Sequence, residues 1–127
     1  GAKSSGIESI GRRRLEASFI PDVIDRMIRG DNAALFAEMP LLTELTGRKY
    51  GGSTGTNMCG VFELIEEMAA NGESGSIVTL ACDPGDRYLT TYYDRGWLSE
   101  HGYEIDAPLQ RMREFVANRR EAPVLQR

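Results

Sequence analysis

The stretch GGSTGTN, residues 51–57, combines three glycines with one serine and two threonines directly before an apolar segment that starts at Met58. The first N–H groups of a helix lack intrahelical partners, and the helix dipole attracts negative charge to that end. We therefore predict a ligand-binding loop that leads into a helix. The alternative is an ordinary N-cap with a tight turn, which needs a single serine or threonine. The stretch matches neither the GxGxxG nor the GxxxxGK[ST] nucleotide fingerprint.

Helical spacing of apolar residues predicts four helices around this stretch. The first starts at Pro21 and stops before Gly30, and the second covers about residues 31–46. The third covers residues 58–69, and a weaker one covers residues 107–118. Proline removes a backbone donor and clashes one turn back, so Pro40 is expected to kink or split the second helix near Met39.

Residues 76–82, SIVTLAC, form a β-branched run between turn formers, which predicts a buried parallel strand. The order helix, glycine-rich turn, helix and strand is that of an α/β fold with parallel strands flanked by helices. Functional residues of such folds follow the carboxyl ends of strands, which favours Cys82 and Asp83 in the turn CDPGDRY. The alternative is an ordinary Pro-Gly turn with a capping aspartate.

Composition excludes several classes of protein. The 127 residues suit one domain, with 41% hydrophobic and 27% charged residues. A net charge of −4 argues against a nucleic-acid interface. Two cysteines and one histidine argue against a disulfide framework and a metal site. No stretch is apolar enough for a membrane span or a signal peptide, so the expected compartment is the cytoplasm.

Three motifs together resemble one enzyme family. GGSTGTN, the predicted strand and CDPGDRY resemble the C-terminal third of the pyridoxal-phosphate (PLP) enzymes of the cysteine synthase and cystathionine β-synthase family, which are fold-type II enzymes related to the tryptophan synthase β-subunit. IESIG (residues 7–11) followed by FIP (residues 19–21) is similar to the family's IQGIG and FIP stretches. The resemblance implies that residues 1–127 are the C-terminal segment of a three-layer α/β large domain.

The resemblance also implies a set of cofactor-binding residues. Ser53 aligns with the serine that hydrogen-bonds the pyridine nitrogen of PLP, and Ser9 aligns with a glycine in a loop beside the cofactor. Cys82 and Asp83 align with positions beside the ring. The full set is Ser9, Gly52, Ser53, Thr54, Cys82 and Asp83.

The family's Schiff-base lysine lies in an N-terminal part that this chain does not contain. Lys3 and Lys49 are the lysines present, and neither stands in the family's lysine context. No catalytic residue is therefore assigned, and the chain alone is expected to be inactive. It is expected to be a piece of a longer enzyme, which the resemblance makes a homodimer.

The function implied is PLP-dependent β-replacement or β-elimination on a serine- or cysteine-type amino acid. A cysteine synthase would join O-acetylserine or O-phosphoserine with sulfide, and a cysteine desulfhydrase would run an elimination instead. A non-catalytic homologue acting as a partner or scaffold and an unrelated anion-binding α/β domain are the alternatives. The arginines of residues 12–14 either select a phosphorylated substrate or form a solvated turn.

Overall fold

The computed structural model describes residues 17–18 and 20–121. Within them the chain forms four α-helices, which we number α1 to α4, and two short 3-10 helices. In chain order the elements are the 3-10 helix Pro21–Val23, α1 (Asn32–Thr46), α2 (Gly52–Ala70), the 3-10 helix Gly85–Tyr88, α3 (Arg95–Glu100) and α4 (Asp106–Glu121).

Helix α1 is the centre of the core, because α2 and α4 both pack against it. Its buried apolar residues are consecutive or nearly so, which leaves no wide polar face. They are Leu35, Phe36, Ala37, Met39, Leu41 and Leu42. An arginine of α4, Arg113, also pairs with Glu44 of α1 on the outside of this contact.

The predicted bounds of α1 are confirmed. Asp31 is the extended N-cap residue, and Gly47 closes the helix in the left-handed conformation with φ 73°. The N–H of Gly47 donates to the carbonyl of Thr43 at 2.9 Å. Pro40 lies inside the helix, which continues past it to Thr46, so the predicted split at Met39 does not occur.

The helix predicted from Pro21 is wrong beyond its first residues. The chain forms a 3-10 turn over Pro21–Val23 and is then irregular up to α1. Val23 is 77% exposed and Met27 is 74% exposed. Helical spacing stabilises a helix of this length when its apolar face is packed, and the described residues offer Val23 and Met27 no core to pack against.

The predicted α/β class is also wrong for the described residues, which form no strand and no sheet and therefore no three-layer α/β arrangement. Residues 76–82, the predicted strand, are irregular, and Val78 is 92% exposed. The described part contains one isolated bridge, between Tyr50 and Pro84. A buried parallel strand requires neighbouring strands, and the described residues place none beside residues 76–82.

The aromatic residues after this segment pack into the core. The ring of Phe36 lies 5.0 Å from that of Tyr92 and 4.7 Å from that of Tyr103, centroid to centroid. Trp97 meets Tyr92 edge-on at 5.5 Å. The predicted C-terminal helix is confirmed as α4, with slightly wider bounds.

Across the described residues, every helix falls short of the length or the apolar character that crossing a bilayer requires.

Candidate functional site

The glycine run forms the first turns of α2 instead of a loop before it. Gly51 is the extended N-cap residue, and the helix begins at Gly52, well before the predicted start at Met58. The N–H groups of this first turn have no intrahelical acceptor, which makes them available to an acceptor or an anion. The prediction that a helix begins at this stretch is thus confirmed, but the helix begins at Gly52 and not at Met58.

Two backbone hydrogen bonds join the start of α2 to the turn CDPGDRY. The N–H of Gly51 donates to the carbonyl of Asp83 at 2.9 Å, and the N–H of Gly85 donates to the carbonyl of Lys49 at 2.9 Å. These bonds flank the bridge between Tyr50 and Pro84. The turn therefore lies directly against the N-terminus of α2.

Side chains of α2 extend this contact toward residue 80. Thr54 is 3% exposed, and its Oγ1 accepts the backbone N–H of Cys82 at 2.9 Å. One turn later, Nδ2 of Asn57 donates to the carbonyl of Leu80 at 3.1 Å. The segment that was predicted as a strand is held in place by these side chains of α2.

The three hydroxyls of the run have different roles. Thr54 binds the backbone of Cys82, and Thr56 donates to the carbonyl of Gly52 at 3.0 Å within its own helix. Ser53 is half-buried, and among the residues that the structure describes its hydroxyl makes no hydrogen bond. Ser53 is therefore the hydroxyl of this run that is available to a ligand.

Two glycines of the run are required by packing of the protein itself. A Cβ on Gly51 would lie 2.2 Å from Oδ1 of Asp83, and a Cβ on Gly55 would lie 2.8 Å from the carbonyl oxygen of Leu35. Both distances are shorter than any real Cβ contact. The sequence pattern suggested close approach of a ligand at these positions, whereas the neighbour there is protein.

The carboxylate of Asp83 is held by Tyr88, a residue that the sequence did not single out for the site. The phenol of Tyr88 donates to Oδ2 of Asp83 at 2.6 Å, and this hydrogen bond raises the pKa of the phenol. The Tyr88 ring stacks on Tyr92 at 4.8 Å with 7° between the planes. Asp83 is thereby fixed to the aromatic core. The tyrosine at the end of CDPGDRY is the residue from which this contact could have been predicted.

The two cysteines differ in exposure. Cys82 is exposed beside α2, whereas Cys59 is half-buried within α2. Burial, with smaller contributions from Glu38 and Asp31, raises the pKa of the Cys59 thiol to about 12. Cys82 is therefore the thiol that belongs to the candidate site.

Comparison with known proteins adds three relatives. L-cysteine desulfhydrase Cds1 of Mycobacterium tuberculosis (strain ATCC 25177 / H37Ra) is 46% identical over 112 residues, which are 88% of this chain. The cysteine synthase of Dictyostelium discoideum is 26% identical over 98 residues, 77% of the chain. N-(2-amino-2-carboxyethyl)-L-glutamate synthase of Cupriavidus metallidurans (strain ATCC 43123 / DSM 2839 / NBRC 102507 / CH34) is 29% identical over 93 residues, 73% of the chain.

This chain belongs to the cysteine synthase and cysteine desulfhydrase family. The resemblance inferred from the motifs is thereby confirmed. The matches cover 30%, 25% and 27% of the three relatives, respectively, so the chain spans less than a third of the length of each. No family model matches the chain, and no solved structure matches it.

Five of the six residues that the family resemblance implied for the cofactor lie close together in this family member. Gly52, Ser53 and Thr54 form the first turn of α2, and Cys82 and Asp83 lie against it. Ser9, the arginines of residues 12–14 and the IESIG motif lie outside the described residues. The roles of all these residues remain predictions.

Proposed function

We propose that the full-length protein is a PLP-dependent enzyme that eliminates sulfide from L-cysteine. The observation that carries this proposal is the 46% identity to an L-cysteine desulfhydrase over 88% of the chain. β-Replacement that forms cysteine is the second candidate, and the similarity to a cysteine synthase supports it. Both reactions break a bond between Cβ of a three-carbon amino acid and its leaving group.

PLP supplies, when it is bound, an electron sink for negative charge at Cα of the substrate. The residues at the start of α2 fit the ring end of this cofactor. The Ser53 hydroxyl is half-buried and has no hydrogen-bond partner among the described residues, so it can bond a ring nitrogen. A neutral hydroxyl does not hold that nitrogen protonated as a carboxylate would, which favours elimination and replacement over transamination.

The neighbouring residues would position this hydroxyl and close one side of the ring. Thr54 accepts the N–H of Cys82 and so fixes the distance between α2 and residue 82. The hydrogen bond from Tyr88 restricts the rotation of the Asp83 carboxylate. We propose that Gly52, Thr54, Cys82 and Asp83 contact the cofactor through this rigid arrangement.

The covalent attachment of PLP is proposed to come from a lysine in another part of the protein. Lys49 is exposed, and its ammonium lies 5.8 Å from the centroid of the Tyr93 ring. Val78 is 92% exposed and Leu80 is 74% exposed beside the candidate site. We propose that the remaining part of the enzyme packs against this surface, because burial of exposed apolar side chains such as these is favourable.

The test is an assay of the purified full-length protein, loaded with PLP, first with L-cysteine alone and then with O-acetylserine and sulfide. Release of sulfide from L-cysteine, faster than cysteine formation from O-acetylserine and sulfide, is the expected result. Faster cysteine formation would favour the synthase instead. Absence of both reactions would contradict the proposal and favour a non-catalytic homologue.

Two further expectations belong to the proposed enzyme. The resemblance makes it a homodimer, which sedimentation velocity of the full-length protein measures. We also propose a cytoplasmic location, and fractionation of cells that express the full-length protein tests it.

A further inference from the structure

A cavity of about 320 Å³ lies between α1, α2 and α4. Its volume is in the range of small-molecule binding sites. Much of its wall is apolar, and the rings of Phe62 on α2 and Phe115 on α4 meet there with their centroids 5.6 Å apart. None of the described residues that we assign to the cofactor lines this cavity.

Glu38 of α1 is part of the wall of this cavity and is fully buried. Neither of its carboxyl oxygens has a hydrogen-bond partner in the described structure. Burial raises the pKa of the Glu38 carboxyl to about 8. A carboxyl group is costly to bury without a hydrogen-bond partner, and buried carboxyl groups of native proteins usually have one. Glu38 is therefore expected to have a partner that the described residues do not supply.

Packing alone does not explain a glutamate at this position. The buried residues on either side of it in α1, Ala37 and Met39, are apolar. An unbranched apolar side chain of similar volume would fill the same space without the cost of a buried carboxyl. The carboxyl group is therefore better explained by something that it binds.

The charges around the cavity favour a cation. Four carboxyl side chains and two guanidinium groups contribute to its lining: Asp31, Glu38, Glu63 and Glu66 against Arg29 and Arg111. Glu63 pairs with Arg26 at 3.5 Å, and Asp31 and Glu66 balance the two arginines, so the ionised Glu38 supplies the counter-charge for a positive group. The faces of aromatic rings also attract cations, and the Phe115 ring already has the guanidinium of Arg119 4.9 Å from its centroid.

We propose that this cavity binds a cationic nitrogen group, an ammonium or a guanidinium, carried on an apolar stem, with Glu38 as its counter-charge. The stem would lie against Met112 and the two phenylalanine rings. A bound cation would supply the missing hydrogen-bond donors and stabilise the ionised form of Glu38. The group has two possible sources, a free amine or a basic side chain from another part of the full-length protein.

The first arm of the test measures binding of n-butylammonium chloride to the full-length protein by isothermal titration calorimetry. Glu38→Gln keeps the shape of the side chain and removes its charge. Glu104→Gln makes the same change at an exposed residue outside the cavity, which provides the matched control. A free-amine site predicts saturable binding that weakens about tenfold in Glu38→Gln and stays within about twofold in Glu104→Gln. The neutral analogue 1-butanol should bind about tenfold more weakly than n-butylammonium.

The second arm identifies a cation supplied by the protein itself and does not depend on a variant. The ionisation of Glu38 is followed by carbon NMR of its carboxyl group in the wild-type full-length protein. A carboxylate that is already ionised at about pH 6, together with no binding of n-butylammonium, would assign the cation to a basic side chain of the protein. A protonated Glu38 at that pH without amine binding would overturn the proposal. Equal binding to wild type and Glu38→Gln would also overturn it.

Discussion

Ser53 is the residue on which the proposed cofactor site depends most. The neighbouring hydroxyls are engaged by the protein itself, Thr54 with Cys82 and Thr56 with its own helix. A half-buried hydroxyl in the first turn of a long helix can donate to a ring nitrogen without competing with an existing bond. The assignment therefore rests on the local hydrogen-bond pattern as well as on the resemblance.

Ser53→Ala in the full-length enzyme should keep PLP bound and lower kcat for sulfide release about tenfold. The reason is that one hydrogen bond at the ring nitrogen is lost, worth about 1.4 kcal/mol in the transition state, whereas the covalent attachment is unaffected. Ser99→Ala, at an exposed serine of α3, is the matched control and should leave kcat unchanged. Steady-state kinetics and the bound PLP content measure both effects. An unchanged kcat in Ser53→Ala would refute this role.

The two thiols should differ in reactivity toward iodoacetamide at about pH 8. The thiolate is the reacting form, and a pKa of about 12 keeps Cys59 almost entirely protonated. Cys82 is exposed and should be alkylated first, which peptide mass spectrometry of the full-length protein measures. Added PLP should slow the alkylation of Cys82 and leave that of Cys59 unaffected. If PLP protects neither cysteine, Cys82 does not lie beside the cofactor.

At the scale of the elements, the close contact of α1 and α2 positions the candidate site. Gly55 lies in close contact with α1, because its missing side chain leaves room for the carbonyl of Leu35. Since the start of α2 carries Ser53, a shift of α2 away from α1 would move the site relative to the turn at residues 82–85.

Gly55→Ala should lower the stability of the full-length protein by about 1–3 kcal/mol, because its Cβ would meet the backbone of Leu35 at 2.8 Å. Gly60→Ala in the same helix is the matched control, since the nearest atom to its Cβ would be 4.0 Å away on Ile28. That change should raise helix stability by about 0.5–1 kcal/mol. Thermal melts of both variants measure the difference. Equal changes in melting temperature for the two variants would show that the contact with Leu35 does not disfavour a side chain at residue 55.

Pro40→Ala should raise the stability by up to about 3 kcal/mol, because alanine restores the backbone donor that proline lacks inside α1. Pro108 is the control, since it lies in the first turn of α4, where an N–H has no intrahelical acceptor. Pro108→Ala should therefore be neutral or slightly destabilising. Melting temperatures compare the two variants, and a loss of stability in Pro40→Ala would mean that packing of the proline ring outweighs the missing bond.

The sequence predicts correctly those elements whose ends are marked by residue types that favour the start or the end of a helix. Asp31 and Gly47 mark both ends of α1 and occupy those positions in the structure, where Gly47 closes the helix and the Asp31 side chain makes no capping hydrogen bond. Residues 76–82 have the composition of a strand, but composition does not provide the neighbouring strands that a parallel strand requires. The helix predicted from Pro21 failed for a similar reason, since its spacing could not show that the apolar face lacks a core to pack against.

The candidate site was predicted in part. The order and spacing of the motifs resemble those of a known enzyme family. This resemblance placed Ser53, Cys82 and Asp83 in one predicted site. The hydrogen bonds from the N–H of Cys82 to Thr54 and from the phenol of Tyr88 to Asp83 join residues that are distant in sequence or unremarkable within a turn. The buried carboxyl of Glu38 could not be recognised at all, since a glutamate in a helix is ordinarily solvated.

At the scale of the whole molecule, the described residues form a helical unit that covers part of a larger enzyme. The chain spans 25–30% of the length of the three relatives that it matches. Its candidate site supplies contacts for the ring end of PLP, while the attaching lysine is proposed to come from elsewhere. The proposed activity is therefore assigned to the full-length protein, and the decisive experiment must use it.

The visible absorption spectrum of the purified full-length protein during a titration with L-cysteine tests the central claim most directly. PLP joined to a lysine is yellow, and its absorption changes when an amino-acid substrate reacts with it. We predict a yellow protein whose visible band changes on addition of L-cysteine, with sulfide released at the same time. A protein that stays colourless after incubation with PLP, or whose band is unaffected by both L-cysteine and O-acetylserine, would contradict the account.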